Sequence, residues 1–351
     1  MWSLSAVQHG AAGCHRRGKR LGSAAMRPRT LLFVVAAVLT LVPGWSGWER
    51  LPLLGPSAFV RAERVPLDPG DHAHRRVGRL VFMGGVRLTS PDKAFGGFSS
   101  MTVAGDRFTL LSDGGNLVRF RLRSDGAVLD AQFAELPAGP GTGWQKRDRD
   151  SESMAIDPRS GRVWVGFERA NAIWRYDRAF AHGGGGVKPR AMRRWRENGG
   201  PETLVRLRDG RFIVLAEENP KRGRPDRPGL VFAGDPLVHA DPAFTFRYRP
   251  PPGCDPSDAT ELPDGRLLIL NRWWAAPLRF AGVLQVVDRA AIRPGAVVRG
   301  TTIARIAAPL THDNFEGVAA TVERGRTIVW LVSDDNQSLF EQTLLMKFRL
   351  D

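Results

Sequence analysis

Acidic residues occupy two fixed places in a pattern that this sequence repeats. One place is the start of a short apolar segment, and the other is the end of the apolar segment that follows it. The first place holds Glu152, Glu202, Asp258 and Glu316, with Ser99 or Ser100 in the earliest copy. The second place holds Asp113, Glu168, Glu217, Asn271 and Asp334.

Carboxylates that converge repel one another unless a cation compensates their charge. Oxygen ligands suit Ca²⁺ or Mg²⁺ rather than Zn²⁺. We therefore predict a site for a cation, Ca²⁺, whose metal ligands are Asp113, Glu152, Glu168, Glu202, Glu217, Asp258, Glu316 and Asp334. The alternative is that these acids accept hydrogen bonds from the backbone of neighbouring repeats, a structural role that repeats would also retain.

Basic residues lie close to the acids in the sequence. Lys146, Arg147, Arg169 and Arg272 are the candidates for binding an anionic substrate, or for pairing with the carboxylates. We predict Glu152, Glu316 and His312 as catalytic residues, because His312 precedes Glu316 closely and could serve as a base or an outer ligand. The sequence has no G-x-S-x-G and no H-E-x-x-H, so it does not indicate a serine hydrolase or a zinc protease.

The repeat that carries these residues predicts an all-β fold. Each copy has a polar entry, a short strand, a Gly-containing turn, a second apolar strand and then a third strand. The five copies begin at Phe98, Ser151, Gly200, Ser257 and Asn314. A spacing near 50 residues is typical of the four-stranded blades of a β-propeller, in which the first strand of every blade lines a central channel.

The predicted ring has five blades, with six as the alternative if a long loop hides a degenerate copy. The last copy supplies only three strands, so we expect a strand near residues 77–90 to complete its blade and close the ring. In this arrangement, the start of each first strand and the end of each second strand lie at the same rim. The basic, Gly-rich stretch at 181–199 is predicted to be a surface loop.

The ends of the chain predict its organisation. Residues 1–45 combine basic residues with an apolar run at 30–42, which favours a signal peptide or an N-terminal membrane anchor. Residues 46–74 are predicted to be a linker, and residues 75–351 the propeller domain. We expect a periplasmic or secreted protein, with attachment to the inner membrane through residues 30–45 as the alternative.

The formal net charge of +15 favours anionic partners, although part of it lies in the leader. The sequence has no basic helix, aromatic RNA-binding motif or zinc-finger spacing, so we expect no nucleic-acid partner. The expected partner is an anionic small-molecule ester, and the expected state is a monomer.

Three segments resemble the phytase-like family, which carries the description "esterase-like activity of phytase". They are FGGFSSMTVAGDRFTLLSDGG (95–115), DSESMAIDP (150–158) and DNFEGVAA (313–320). The resemblance covers roughly residues 77–350, and it implies a β-propeller that hydrolyses phosphate or carboxylic esters. A looser similarity to the β-propeller phytases implies Ca²⁺ ions held by acids, with Glu152 and Glu316 as the residues that carry over.

Two functions follow from these observations. The first is a metal-assisted esterase or phosphatase, in which rim carboxylates hold the ion and arginines neutralise developing charge. The second is a non-catalytic propeller that binds a ligand or a protein outside the cytoplasm.

Overall fold

The computed structural model describes residues 51–277 and 279–351, and it is built from strands. Three strands precede the first repeat, and all three belong to the last sheet of the fold. They are β1 (Arg61–Val65), β2 (Arg76–Val77) and β3 (Leu80–Thr89). Short 3-10 turns lie at Lys146–Asp148, Arg190–Met192 and Arg289–Ala291.

The repeats fold into five antiparallel sheets, which we call the first to fifth blades. The first blade contains β4 (Phe98–Ala104), β5 (Arg107–Ser112), β6 (Asn116–Leu122) and β7 (Val128–Glu135). The second contains β8 (Ser151–Ile156), β9 (Val163–Phe167), β10 (Ala172–Tyr176) and β11 (Gly183–Val187). The third contains β12 (Pro201–Arg206), β13 (Phe212–Ala216), β14 (Arg227–Phe232) and β15 (Phe244–Tyr248).

The last two blades follow the same plan with small additions. The fourth contains β16 (Cys254–Glu261), β17 (Leu267–Ala275), β18 (Arg279–Val287) and β20 (Thr301–Ile306), while β19 (Val297–Val298) pairs in parallel with β15 of the third blade. The fifth contains β21 (Asn314–Glu323), β22 (Arg326–Asp334) and β23 (Thr343–Leu350), which pairs with β3.

The first strands of the blades form a closed ring. Strand β4 packs beside β8, β8 beside β12, β12 beside β16, β16 beside β21, and β21 again beside β4. The described residues therefore form a five-bladed propeller, and the prediction of five blades is confirmed. The prediction that a strand near residues 77–90 closes the ring is also confirmed, because β3 lies between β23 and β1 in the fifth sheet.

Apolar side chains of adjacent blades fill the space between the sheets. Phe108 of the first blade contacts Trp330 of the fifth edge to face, with ring centroids 4.8 Å apart. Trp164 of the second blade meets Phe212 of the third in the same way at 4.9 Å. Each such pair buries large apolar area and also favours one relative orientation of the blades, which fixes the ring on which the rim residues stand.

Two segments differ from the predictions. The predicted linker, residues 46–74, contains β1, which pairs with β3 over five residues and extends the fifth blade outward. The predicted surface loop at 181–199 contains β11, the outer strand of the second blade, whose four glycines are exposed. The outer strand of a blade can form without buried side chains. Its Gly-rich composition therefore resembles that of a loop.

The predicted leader, residues 1–45, lies outside the described residues. Within the part of the chain that the structure describes, no helix has the length and apolar character needed to span a membrane.

Candidate functional site

Every first strand carries a β-bulge at the same place. In the second blade, Ser151 pairs with Phe167 and Ser153 with Gly166, so that Glu152 is the extra residue between them. The residues that occupy this bulge position in the five blades are Ser99, Glu152, Glu202, Ser257 and Glu316. Because a bulge turns its side chain away from the regular alternation, these residues share one orientation at the rim.

The bulge corrects the prediction for the fourth blade. Asp258 is not equivalent to the three glutamates, because Ser257 is the bulged residue and Asp258 follows it. The Asp258 carboxylate is buried and accepts hydrogen bonds from the backbone N–H groups of Ala259 (2.8 Å) and Val318 (2.9 Å). The second of these bonds joins the fourth blade to the fifth.

Ser100 makes the same kind of connection in the first blade. It also follows its bulge, and its hydroxyl accepts a hydrogen bond at 3.1 Å from the backbone N–H of Met154 in the second blade. Asp258 therefore has the blade-joining role that was the alternative to metal binding.

The end of the second strand is the second rim position, and it too is shifted by one residue in the fourth blade. Its occupants are Asp113, Glu168, Glu217, Arg272 and Asp334. Asn271, which we predicted here, is fully buried, and its side-chain oxygen accepts a hydrogen bond at 2.8 Å from the Tyr248 hydroxyl. The ring of acids is thus interrupted by an arginine, and its charge is asymmetric.

A third rim position lies on the first strand, opposite the second position. Its residue types vary between blades, so the sequence did not show it as a repeated position. It holds Gly97, Asp150, Gly200, Asp255 and Asn314. Asp150 is buried beside Glu152 in the segment DSES, and the spacing of two residues from a known candidate was the signal that could have identified it.

Among the residues that the structure describes, two groups of three carboxylates lie close enough to hold a cation. In the first group, Asp150, Glu152 and Glu168 each place a carboxylate oxygen within 4.8 Å of the others. The second group consists of Glu168, Glu202 and Glu217, with oxygens at the same mutual limit. Glu168 belongs to both groups, so the second and third blades carry the densest negative charge.

The acids of these groups differ in their partners. Glu152 and Glu202 are about nine-tenths buried, with 9% and 8% of their surface exposed. Neither carboxylate has a hydrogen bond or an ion pair to any residue in the described part of the chain. Two buried carboxylates without a counter-charge are costly, and a proton or a bound cation would relieve that cost.

Burial and neighbouring negative charge both raise the pKa values of the glutamates in these groups. Burial, together with the carboxylates of Asp150 and Glu168, raises the pKa of Glu152 well above its usual value. Burial and the Glu217 charge do the same to the pKa of Glu202. Burial, Asp150 and Glu217 raise the pKa of Glu168 to about 8. The cluster without an ion therefore holds protons near neutral pH.

Three of the four predicted substrate-binding cations are paired with acids of the rim. Lys146 pairs with Asp113, and Arg169 contacts Asp150 at 2.9 Å. Arg272 lies between two blades, where it bonds Glu217 at 2.6 Å and also Glu316.

Arg147 differs from these three cations. It is exposed on the turn that follows Lys146, and no ion pair joins it to another residue that the structure describes.

The fifth blade contributes Glu316 and Asp334. Oε1 of Glu316 accepts hydrogen bonds from Arg272 and, at 2.9 Å, from the side-chain amide of Asn314. Burial and the Glu316 charge raise the pKa of Asp334 well above its usual value. Two donors thus hold the Glu316 carboxylate. Asp334 lies beside it, and its carboxyl retains a proton to higher pH than an ordinary aspartate does.

His312 lies apart from this network. Its Nδ1 is 2.7 Å from the backbone carbonyl oxygen of Leu310, and within the described residues no hydrogen bond or ion pair joins its ring to the rim acids. Its catalytic role stays a prediction that no contact supports.

The comparisons with known proteins agree with this architecture. A family model described as "Phytase-like: Esterase-like activity of phytase" matches residues 93–337, which is more than half of the chain. The chain belongs to the phytase-like family. The matched segment contains all three rim positions, and the family description supports a hydrolase-like propeller. No curated protein matches this sequence.

Several solved structures are similar to this chain at low identity. The Pan2 WD40 domain of Neurospora crassa is 11% identical, with a TM-score of 0.38, and the match covers 79% of this chain and 97% of that one. A luciferin-regenerating enzyme is 10% identical, with a TM-score of 0.40, and 86% and 93% are covered. The Dos1 propeller is 8% identical, with a TM-score of 0.36, and 78% and 76% are covered.

Proposed function

We propose that this phytase-like propeller is a metal-assisted hydrolase of phosphate or carboxylic esters, and that Glu168 is the central ligand of a Ca²⁺ site. The observation that carries the proposal is the pair of three-carboxylate groups that share Glu168. Glu152 and Glu202 reinforce it, because each is buried and neither carboxylate has an ion pair or a hydrogen bond to a described residue. Hard oxygen ligands of this kind fit Ca²⁺.

The residues that would hold the ion are Asp150, Glu152, Glu168, Glu202 and Glu217. A bound Ca²⁺ supplies Lewis acidity and neutralises the charge that develops on an ester oxygen. Asp113 and Asp334 stand at the same rim position in other blades, but Lys146 already neutralises the first, and the second favours its protonated form. Asp113 and Asp334 therefore belong to the acidic rim, but they are not among the proposed ligands of the ion.

Glu316 is the proposed general base. Arg272 and Asn314 both bond its Oε1 and thereby fix the carboxylate plane. Its Oε2 has no hydrogen bond to any described residue, so this oxygen is free to accept a proton from a water molecule.

Arg147 is the proposed first contact for an anionic substrate. Lys146, Arg169 and Arg272 are committed to acids, and an anion would have to compete with those carboxylates. Arg147, on the exposed turn beside Lys146, carries no such commitment among the described residues.

Hydrolysis of p-nitrophenyl phosphate and p-nitrophenyl acetate tests this function, with EDTA and then with added Ca²⁺. We expect Ca²⁺-dependent hydrolysis of one of these esters. Glu168→Gln should lower the rate by about 100-fold, because even the loss of an outer partner of a metal site costs about 10- to 100-fold. Glu135→Gln, a change of the same type on an exposed outer strand, should leave the rate unchanged.

Absence of hydrolysis of both esters in the presence of Ca²⁺ would refute the enzymatic proposal. A Ca²⁺-dependent rise in melting temperature without hydrolysis would favour the second candidate, a propeller that binds a ligand without catalysis. The pairing of three of the four cations with rim acids is the observation that favours this candidate, since it leaves few groups free to hold an anion.

Export from the cytoplasm is part of the proposal, and it rests on the basic and apolar character of residues 1–45. Cell fractionation of the full chain, compared with a chain that starts at Glu49, would test it. Retention of the full chain in the cytoplasm would contradict export.

A further inference from the structure

A cavity lies at the other end of the channel from the rim acids. Its volume is about 500 Å³, within the range of about 300–1,000 Å³ that is typical of small-molecule sites. Its walls come from the later parts of all five first strands and from the residues that follow two of them: 101–103, 154–159, 204–206, 208, 258–261 and 318–320. The rim acids stand at the beginnings of the same strands, so the two sites face opposite ends of the ring.

Three arginines line this cavity: Arg159, Arg206 and Arg208. Arg206 is the most buried, with only 18% of its side chain exposed. Its guanidinium has two long contacts among the described residues, to Asp157 at 3.4 Å and to the carbonyl oxygen of Leu207 at 3.4 Å. A guanidinium carries five N–H donors, so most of the donors of Arg206 have no partner within the described chain.

Three acids also line the cavity, and each already accepts hydrogen bonds from other donors. Asp157 accepts from the Ser160 hydroxyl at 2.7 Å and from a backbone N–H. Glu261 accepts from the backbone N–H of Arg208 at 2.7 Å and from Arg289 at 3.1 Å. Asp258 accepts from two backbone N–H groups, as described above. The acids equal the arginines in number, but other donors occupy their carboxylates, and most N–H donors of Arg206 have no partner among the described residues.

The rest of the lining is suited to a ligand with an apolar part. Thr102 and Thr260 line the cavity, and their hydroxyls make no hydrogen bond to another described residue. Apolar groups surround them, among them Val103, Ala319 and Ala320. A few polar groups that converge between apolar walls are typical of a binding site for a small organic molecule.

We propose that this end of the channel is a second binding site for a small organic anion, which the Arg206 guanidinium binds. The Thr102 and Thr260 hydroxyls are further hydrogen-bonding groups, and the apolar channel wall surrounds the rest of the ligand. A carboxylate or a phosphonate matches the planar fork of an arginine, which can form two parallel hydrogen bonds with it. The site is separate from the acidic rim and does not depend on the proposed hydrolysis.

Calorimetric titration with phenylphosphonate and benzoate, in EDTA, tests the site. Both probes carry an anionic group on an apolar ring, and neither is an ester. Arg206→Gln removes the charge, and Ala320→Leu fills the channel while it leaves every charged group in place. Arg194→Gln is the matched control, because Arg194 is exposed and belongs neither to the lining of this cavity nor to the rim positions.

We expect binding to the wild type and to Arg194→Gln with equal affinity. The affinity of Arg206→Gln should fall by about tenfold or more, which corresponds to the loss of one charge-assisted hydrogen bond. Ala320→Leu, with a melting temperature near that of the wild type, should not bind. Absence of binding to the wild type, undiminished binding to both channel variants, or weakened binding to Arg194→Gln would overturn the proposal.

Discussion

The second and fourth blades place opposite charges at the end of their second strands. The second blade has Glu152 at the bulge and Glu168 at the end of the second strand, whereas the fourth has Ser257 and Arg272. Both blades use the same bulged hairpin, so the backbone does not distinguish them. The difference teaches that the fold fixes where rim side chains point, and that single residues decide whether a blade supplies a ligand or a counter-ion.

Among the substitutions that test this comparison, removal of the fourth blade's counter-ion should lower the free energy of unfolding most. Arg272→Met would leave the carboxylates of Glu217 and Glu316 without their common cation. Removal of one partner from a buried ion pair costs about 3–5 kcal/mol, and because Arg272 retains some exposure we expect a loss of about 3 kcal/mol in the free energy of unfolding. Urea denaturation measures it.

Arg147→Met is the control for this change, because Arg147 is exposed and has no ion pair in the described chain. It should shift the free energy of unfolding by less than about 0.5 kcal/mol. An equal effect of the two variants would show that Arg272 does not compensate the rim acids.

A change at Asp258 tests the shift of register in the fourth blade. Asp258→Ala leaves the N–H groups of Ala259 and Val318 without an acceptor, and we expect a cost of about 2 kcal/mol. The rise in melting temperature that Ca²⁺ produces should persist, since Asp258 stands outside the rim positions. Ser100→Ala removes the corresponding bond of the first blade and should cost about 1 kcal/mol. If Ca²⁺ no longer raised the melting temperature of Asp258→Ala, Asp258 would have to be a ligand of the ion.

The pH dependence concerns the second blade, and its effect is spread over several pH units. Glu168 has a pKa of about 8 in the folded protein, whereas the ordinary value of a free glutamate is 4.5, so between these values the folded state binds a proton that the unfolded state lacks. The stability of the ion-free protein should therefore fall as pH rises from 5 towards 8. This one group contributes a slope of up to about 1.4 kcal/mol per pH unit.

In EDTA, Glu168→Gln should show a shallower decline with pH than the wild type, and Glu135→Gln should match the wild type. Melting curves over this pH range measure both slopes. Identical slopes in Glu168→Gln and the wild type would mean that the carboxyl of Glu168 does not hold a proton near neutral pH.

The fold was predictable because turns and strands repeat in the sequence. Segments such as RDGRFIVLAE carry a Gly turn and an apolar strand, so the hairpins and the number of blades could be read directly. Closure by β3 followed from the missing fourth strand of the last repeat. By contrast, β1 has the sequence RAERV, which has no apolar face, and only its pairing with β3 makes it a strand.

The candidate site was predictable in three blades and wrong by one residue in the fourth. A bulge inserts one residue without any mark in the sequence, and in SDATELPDG the acid stands directly beside the bulged serine. The choice between Asn271 and Arg272 depends on the same pairing. The contact of Arg272 with Glu217 and Glu316 joins three blades, and no local pattern can show it.

The closure of the ring has a consequence for the folding kinetics of the chain. Strand β23 pairs with β3 so that Leu350 stands opposite Leu80, and this contact encloses nearly the whole propeller within one loop. Non-local pairing is slow because the chain must lose the entropy of loop closure before the contact forms. The other four blades are built mainly from hairpins of consecutive strands. We therefore expect the fifth blade to assemble last, and its amide hydrogens to gain protection from exchange after those of the other four.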